Sequence, residues 1–304
     1  MVDMMMVGKI PGDTAAAVYA VGMTNQPMFL GLSLIQALNV GGTAIIARYF
    51  GAKKCNRMGS ILKHVMILAM VFCVTPTAIL MLIFAPEILS LLGGDATVIN
   101  VGVDYFRIVT IGFIFQSLSF TVTAALRGIG ETKIPMKNNI IANSCNVLGN
   151  AILIYGMFGF PALGVTGAAI ATAASNLIAM VLNVRYILSG KSILKLDFKE
   201  KFEFRAEVMR DLVRIGIPTA LEQMALRFGV IMFLKIVSGL GNNVYAAHQI
   251  ALNVLSLSYS PAQAFGITAS SLMGQSLGAK DEKLAERYTK MCQRIGLTLA
   301  IMMS

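Results

Sequence analysis

The strongest constraint on this chain is where its charges are missing. Between Asp13 and Arg48 lie 34 residues without Asp, Glu, Lys or Arg. Lys63 to Glu87 encloses 23 such residues and Arg107 to Arg127 encloses 19. Lys137 to Arg185 encloses 47, and Lys235 to Lys280 encloses 44, interrupted only by His248. A helix needs about 20 apolar residues to cross the hydrocarbon of a bilayer. The 47-residue run is too long for one crossing, and GMFGFPALG at 156–164 breaks it. Gly and Pro there mark a tight turn, so the run predicts a helical hairpin. Charged residues make up 13% of the chain, against about 25% in soluble domains. So few charges cannot cover the surface of a soluble body this size. The expected fold class is all-α, a polytopic membrane helix bundle.

Hydrophobic runs and breakers predict a stub at 1–10 and helices at 15–47, 59–84, 98–125, 134–156, 165–189, 212–238, 243–274 and 284–304. Lys and Arg then alternate by loop. The connections at 48–63, 126–137 and 185–214 and the segment 280–294 are basic. Those near 87–97, 156–164 and 239–242 hold no Lys or Arg. By the positive-inside rule the basic loops are cytoplasmic, in a multi-pass protein of the cell's inner membrane. The net charge of +10 is therefore an orientation signal, and no nucleic-acid partner is expected. Met1 runs directly into VDMMMVG, so no cleavable signal peptide is expected. Cys55, Cys73, Cys145 and Cys292 lack pairing or metal spacing and read as reduced. No Ser-His-Asp, HExxH or cysteine cluster argues for an enzyme. GIGETK at 128–133 lacks the full phosphate-loop spacing and reads as a turn.

One short signature returns. RYFGAKK at 48–54 and QSLGAKD at 275–281 each follow a long uncharged run. The segment 18–54 aligns with 244–281 with one residue of slack between the VYA and GAK anchors. Six predicted helices separate the two GAK loops. An even number puts both loops on one side of the membrane, so the repeat is parallel, an arrangement known in transporters. This predicts a first lobe at 1–190, a linker at 191–211 and part of a second lobe at 212–304. By the same register, about 15 residues of the first helix and three helices of the second lobe are expected outside this sequence.

VDMMMVG (2–8), ARYFGAKK (47–54), LRGIGETKIPM (126–136), NVLGNAILIYG (146–156), LGVTGAAIAT (163–172), YAAHQIALNVLSLSY (245–259) and GQSLGAKD (274–281) together resemble the multidrug and toxic compound extrusion family. The likeness runs over essentially the whole chain. It implies twelve helices in two six-helix lobes, with the second incomplete here. It implies export of organic, often cationic compounds in exchange for protons or sodium, with no cofactor beyond that ion. The expected partners are a small organic substrate and the lipid bilayer, and the protein is expected to act as a monomer.

Asp3 is the first candidate. An ionisable group within a membrane is expensive, about 2.5–3.5 kcal/mol at a helix centre on insertion scales, and marks function by default. Burial raises a carboxyl pKa toward the working range, where the group can hold a proton or a cation. The resemblance places a coupling aspartate at this position. Asn146 and Asn150 are four apart and share a helix face with Asn143 one turn earlier. Amide oxygens there can ligate sodium or bond a protonated Asp3, or simply tie helices together. The resemblance puts cation-site residues at 146 and 150. The second of these is often Asp in that family. Asn150 removes one formal negative charge, which leans the expectation from sodium toward protons. Thr172 matches a family threonine near the cation, although Gly164, Gly167, Ala168 and Ala169 around it read as close-packing residues. Asn176 lies one turn on. Glu222 could be a second proton site or a structural pairing partner. Twenty Met and sixteen Phe suit a pliable apolar cavity as well as ordinary packing.

A lipid-linked precursor or polysaccharide flippase shares the twelve-helix plan and stays open. So does a fragment without transport activity.

Overall fold

The computed structural model describes residues 6–8, 14–93, 96–159, 161–194, 206–238 and 242–303. These are helical with short turns, and among the described residues there is no strand. α1 is Thr14–Gly51 and α2 is Met58–Leu68. A π-helical stretch, Ala69–Val74, joins α2 to α3 at Thr75–Ile83. α4 is Ala85–Leu91, α5 Ala96–Gly128, α6 Lys133–Tyr155 and α7 Gly164–Leu188. α8 is Ala206–Ser238, α9 Asn242–Gly278 and α10 Glu282–Met303.

Among the described residues, four helical segments are long and apolar enough to cross a membrane: Ala20–Gly51, Cys55–Ile83, Val98–Gly128 and Gly164–Leu188. α6 is less apolar because it carries five asparagines, at 138, 139, 143, 146 and 150. The helix ends differ from the sequence expectation in a regular way. α1 runs on to Gly51, α9 runs on to Gly278, and α8 begins at Ala206 rather than 212. Charge does not end a helix, so α1 and α8 include basic residues such as Arg48 and Arg210, while α9 stops two residues before Lys280. The stretch at 87–97, expected as a loop, begins with α4. Pro86 sits in its first turn, where no N–H is needed, and Glu87 favours the positive end of the helix. The π turn has a similar cause. Pro76 has no N–H to give, and its ring crowds the carbonyl four residues earlier, at Phe72 within that turn.

The chain forms two compact units. Unit 1 comprises Met1–Gln36, Lys63–Thr123 and Thr132–Asp197. Its core packs Phe106 and Phe113 of α5 with Ile35, Val74, Met81 and Leu89, all buried. A second cluster joins Val7, Val21, Tyr105, Ile154, Val165, Ala168 and Ala169, with Met6 against it. Three helices of this unit are also tied by a buried polar network. Asn138 Nδ2 donates to Asn183 Oδ1 at 2.8 Å. Asn183 Nδ2 in turn donates to Ser119 Oγ at 2.9 Å and to Thr123 Oγ1 at 3.4 Å. This pins α6 and α7 to α5 without a charge.

Unit 2 comprises Ala37–Leu62, Ala124–Glu131 and Phe198–Ser304. Here the repeated signature explains itself. A methyl group on Gly51 would collide with the backbone of Gln275, and one on Gly278 with the backbone of Arg48. Arg48 and Gln275 are themselves equivalent positions in the repeat, so the crossing of α1 and α9 is reciprocal, as a two-fold relation requires. Both helices then end identically. Lys54 N–H bonds Tyr49 O at 3.0 Å and Lys53 N–H bonds Phe50 O at 2.9 Å. Asp281 N–H bonds Ser276 O at 3.0 Å and Lys280 N–H bonds Leu277 O at 3.1 Å. This is the Schellman closure, twice. Ser271 Oγ, donating to Arg127 O at 2.8 Å, and Gln275 Nε2, donating to Gly128 O at 2.8 Å, bind the end of α5 into the same junction. The two GAK turns thus lie side by side at one end of this unit. Equivalent ends meeting at one end is the outcome a parallel repeat predicts, because inversion would set them apart.

A polar chain between α6 and α7

The candidate site lies on the α6–α7 hairpin of unit 1. The hairpin closes tightly because Gly156 takes φ 69° at the end of α6, with its N–H on Ile152 O. Leu163 N–H then bonds back to Leu153 O at 2.9 Å. The two helices pack along their lengths at small residues. A Cβ on Gly149 would lie 3.2 Å from Ala171 Cβ, and one on Gly167 2.5 Å from Leu153 O. α5 approaches as closely, since a Cβ on Gly112 would lie 2.9 Å from Ala173 Cα. The family-like run LGVTGAAIAT therefore acts first as a packing surface, and that packing presents Thr172 to α6.

Asn150 is fully buried. Its Nδ2 donates to Asn146 Oδ1 at 3.3 Å, and Asn146 Nδ2 donates to Thr172 Oγ1 at 3.3 Å. Three of the sequence candidates thus form one continuous chain across the hairpin. Both bonds are long for N–H···O. Each amide oxygen has two lone pairs, so Asn146 Oδ1 keeps capacity for a cation or a proton donor. Asn150, Asn146 and Thr172 do not ionise, so the chain they form is itself formally neutral.

The other candidates are placed as follows. Asp3 lies outside the described residues. Met6 and Val7, shortly after it, pack against Ile154, Val165 and Ala168 of the hairpin, and Tyr155 Oη donates to Met6 O at 2.8 Å. Asn143 is exposed one turn before Asn146, and Asn176 is half-buried one turn after Thr172. Glu222 is exposed on α8, in unit 2. Sequence reasoning did not single out the Asn138–Asn183 network, although both asparagines stand inside the 47-residue uncharged run, where any amide needs a partner. Asn39 is a second missed residue. It is buried in α1, and its Oδ1 has no hydrogen-bond partner among the described residues.

Comparisons with known proteins agree with this architecture. The probable multidrug resistance protein YoeA of Bacillus subtilis is 31% identical over 287 residues, covering 92% of this chain and 60% of that protein. The multidrug resistance protein NorM of Vibrio cholerae is 30% identical over 310 residues, covering 98% of this chain and 65% of that protein. A crystal structure of MATE in the bent conformation superposes with a TM-score of 0.86 at 21% identity, over 98% of this chain and 65% of the other. The outward-facing conformation of a multidrug resistance MATE family transporter of the MOP superfamily gives 0.82 at 21% identity, over 99% and 64%. The chain therefore spans about 60% of the length of such curated relatives. The family model MatE matches residues 1–152 and 218–304, and on that match, with the helical fold and its repeated helix ends, this chain belongs to the MatE family.

Proposed function

We propose that this chain carries the ion-coupling hairpin of a secondary antiporter that exports organic, often cationic compounds in exchange for protons. The observation that supports the reading most is the Asn150–Asn146–Thr172 chain, three neutral polar groups converging inside an apolar hairpin. Asp3 stands three residues before Met6, whose carbonyl accepts from Tyr155 Oη, and we take its carboxyl to act at this hairpin. A protonated Asp3 carboxyl would donate to an amide oxygen of this chain. An ionised one would prefer the exported cation. Exchange follows because one carboxylate serves both. Asn150 stands where an acid would add a second negative charge, and its neutrality favours a proton over sodium as the coupling ion. We further propose that the basic loops face the cytoplasm, that residues 1–190 and 212–304 belong to separate lobes, and that the protein works as a monomer.

The test is ethidium efflux by the full-length protein in proteoliposomes, under an imposed proton gradient or an imposed sodium gradient. Efflux is expected under the proton gradient alone and is abolished by Asp3→Asn. Asn146→Ala is expected to lower the rate about 3- to 30-fold, the equivalent of roughly 0.6–2 kcal/mol for interhelical polar contacts. Asn150→Asp should let a sodium gradient drive efflux. Undiminished efflux by Asp3→Asn, or transport of a lipid-linked glycan in place of ethidium, would remove the proposal.

A further inference from the structure

α10 begins in the basic segment that the sequence reading used only for orientation. Its cations do not scatter. Lys283, Arg287, Lys290 and Arg294 follow a four-three-four spacing, which keeps them within about 60° of one another around a helix. All four are exposed. The other side of the helix is occupied, with Ala285 and Cys292 buried and a Cβ on Gly296 meeting Phe265 of α9 at 3.6 Å. The stripe covers about 16 Å of helix axis. It ends at Arg294, and the next residues are apolar and exposed: Ile295, Leu297, Ile301 and Met302. A membrane helix that turns from cationic to uncharged and apolar in one step crosses the edge of the hydrocarbon at that step.

The first half of the repeat shows that the stripe is not needed for orientation. Its equivalent positions are Asn56, Ser60, Lys63 and Ile67, with one cation where the second half has four. The two GAK turns lie at one end of unit 2, so both segments face one side and need the same orientation signal. Both segments carry five Lys or Arg, at 48, 53, 54, 57 and 63 and at 280, 283, 287, 290 and 294, so what the second half adds is their alignment on one helix face.

We propose that this face of α10 binds the anionic headgroups of phospholipids in the leaflet it enters. Charge complementarity names the occupant. Polar headgroups occupy about 5–8 Å beside each face of the hydrocarbon, which puts Arg294 and Lys290 among them. Lys283 and Arg287 are reached through their long side chains and within one Debye length, about 8–10 Å. Each such cation multiplies the preference for an anionic lipid about five-fold at most. Asp281, Glu282 and Glu286 are the counter-charges of this segment, and Glu286 is bonded to the stripe itself. Lys290 Nζ donates to Glu286 Oε1 at 2.5 Å, with both side chains exposed. That bond holds the Glu286 carboxyl below its ordinary range, so at neutral pH it stays ionised and offsets part of the stripe.

The test counts lipids retained on the full-length protein by native mass spectrometry, after passage through nanodiscs of phosphatidylcholine with a minor share of phosphatidylglycerol. The wild type should retain phosphatidylglycerol in excess of its share, and added salt should erase the excess. Lys283→Gln, Arg287→Gln, Lys290→Gln and Arg294→Gln together should lower the enrichment about five-fold or more. Glu286→Gln should raise it, a gain that misfolding does not imitate. The matched variant Lys53→Gln, Lys54→Gln, Arg57→Gln and Lys63→Gln should change it little. Unchanged enrichment in the α10 variant, or an equal loss in the matched variant, would overturn the proposal. So would loss of binding to a soluble polyanion such as heparin with lipid enrichment intact, since the stripe would then serve a different partner.

Discussion

Lys53 and Lys280 show what one residue's backbone can reveal. Among the described residues they are the non-glycine positions with positive φ, at 57° and 61°, and they occupy the same place in the repeat. Glycine is the usual residue at this point of a Schellman closure, because it has no Cβ to crowd the left-handed conformation. Lys53→Gly and Lys280→Gly are each expected to stabilise the folded protein by about 0.5–1 kcal/mol, read as a rise in melting temperature in detergent. Asn183 makes the opposite case. It donates to Ser119 and Thr123 and accepts from Asn138, so Asn183→Leu strands three partners at once. A loss of about 1–3 kcal/mol is expected, from the cost of leaving buried polar groups unpaired, with a lower melting temperature as the readout. The sequence shows that amides in a charge-free run need partners. It does not show which of the five on α6 would find Asn183, because that pairing joins residues 45 positions apart.

At the scale of the element, the charge-free runs predicted where helices lie because the bilayer leaves the backbone no other way to satisfy itself. The same signal is silent at the ends, where water returns and a helix runs on or stops for local reasons. α1 stops at its GAK turn and not at the first charge, Arg48. The π turn before Pro76 and the short helix α4 were likewise beyond a pattern that measures only hydropathy. Where α1 and α9 cross, the contact is main chain on main chain. Gly278→Ala is expected to cost about 1–3 kcal/mol by overpacking, and Gly51→Ala the same, each seen as lower yield of monodisperse protein and a lower melting temperature. Gly229, with nothing among the described residues within 4 Å of an added Cβ, is the control and should tolerate alanine.

For the whole molecule, the repeat makes a prediction that depends on no side-chain detail. With the native cysteines at 55, 73, 145 and 292 replaced by serine, Lys53→Cys and Lys280→Cys should react with an impermeant maleimide from the same side of the membrane. Leu163→Cys should react from the other. Reaction of the first two from opposite sides would mean an inverted repeat. Duplication was legible in the sequence because the VYA and GAK anchors together align 18–54 with 244–281. Why those residues persist was not legible, since nothing in RYFGAKK announces that its glycine will lie against the other copy. Where the halves touch, they have otherwise drifted. Gly51 lies against Gln275 but Gly278 against Arg48, and Ala47 stands against its own equivalent, Gly274. A crossing built of peptide groups does not register such drift. Two descendants of one ancestral segment could therefore diverge in charge, size and duty while still fitting each other, provided two hydrogen atoms, one at each glycine, were never exchanged for carbon.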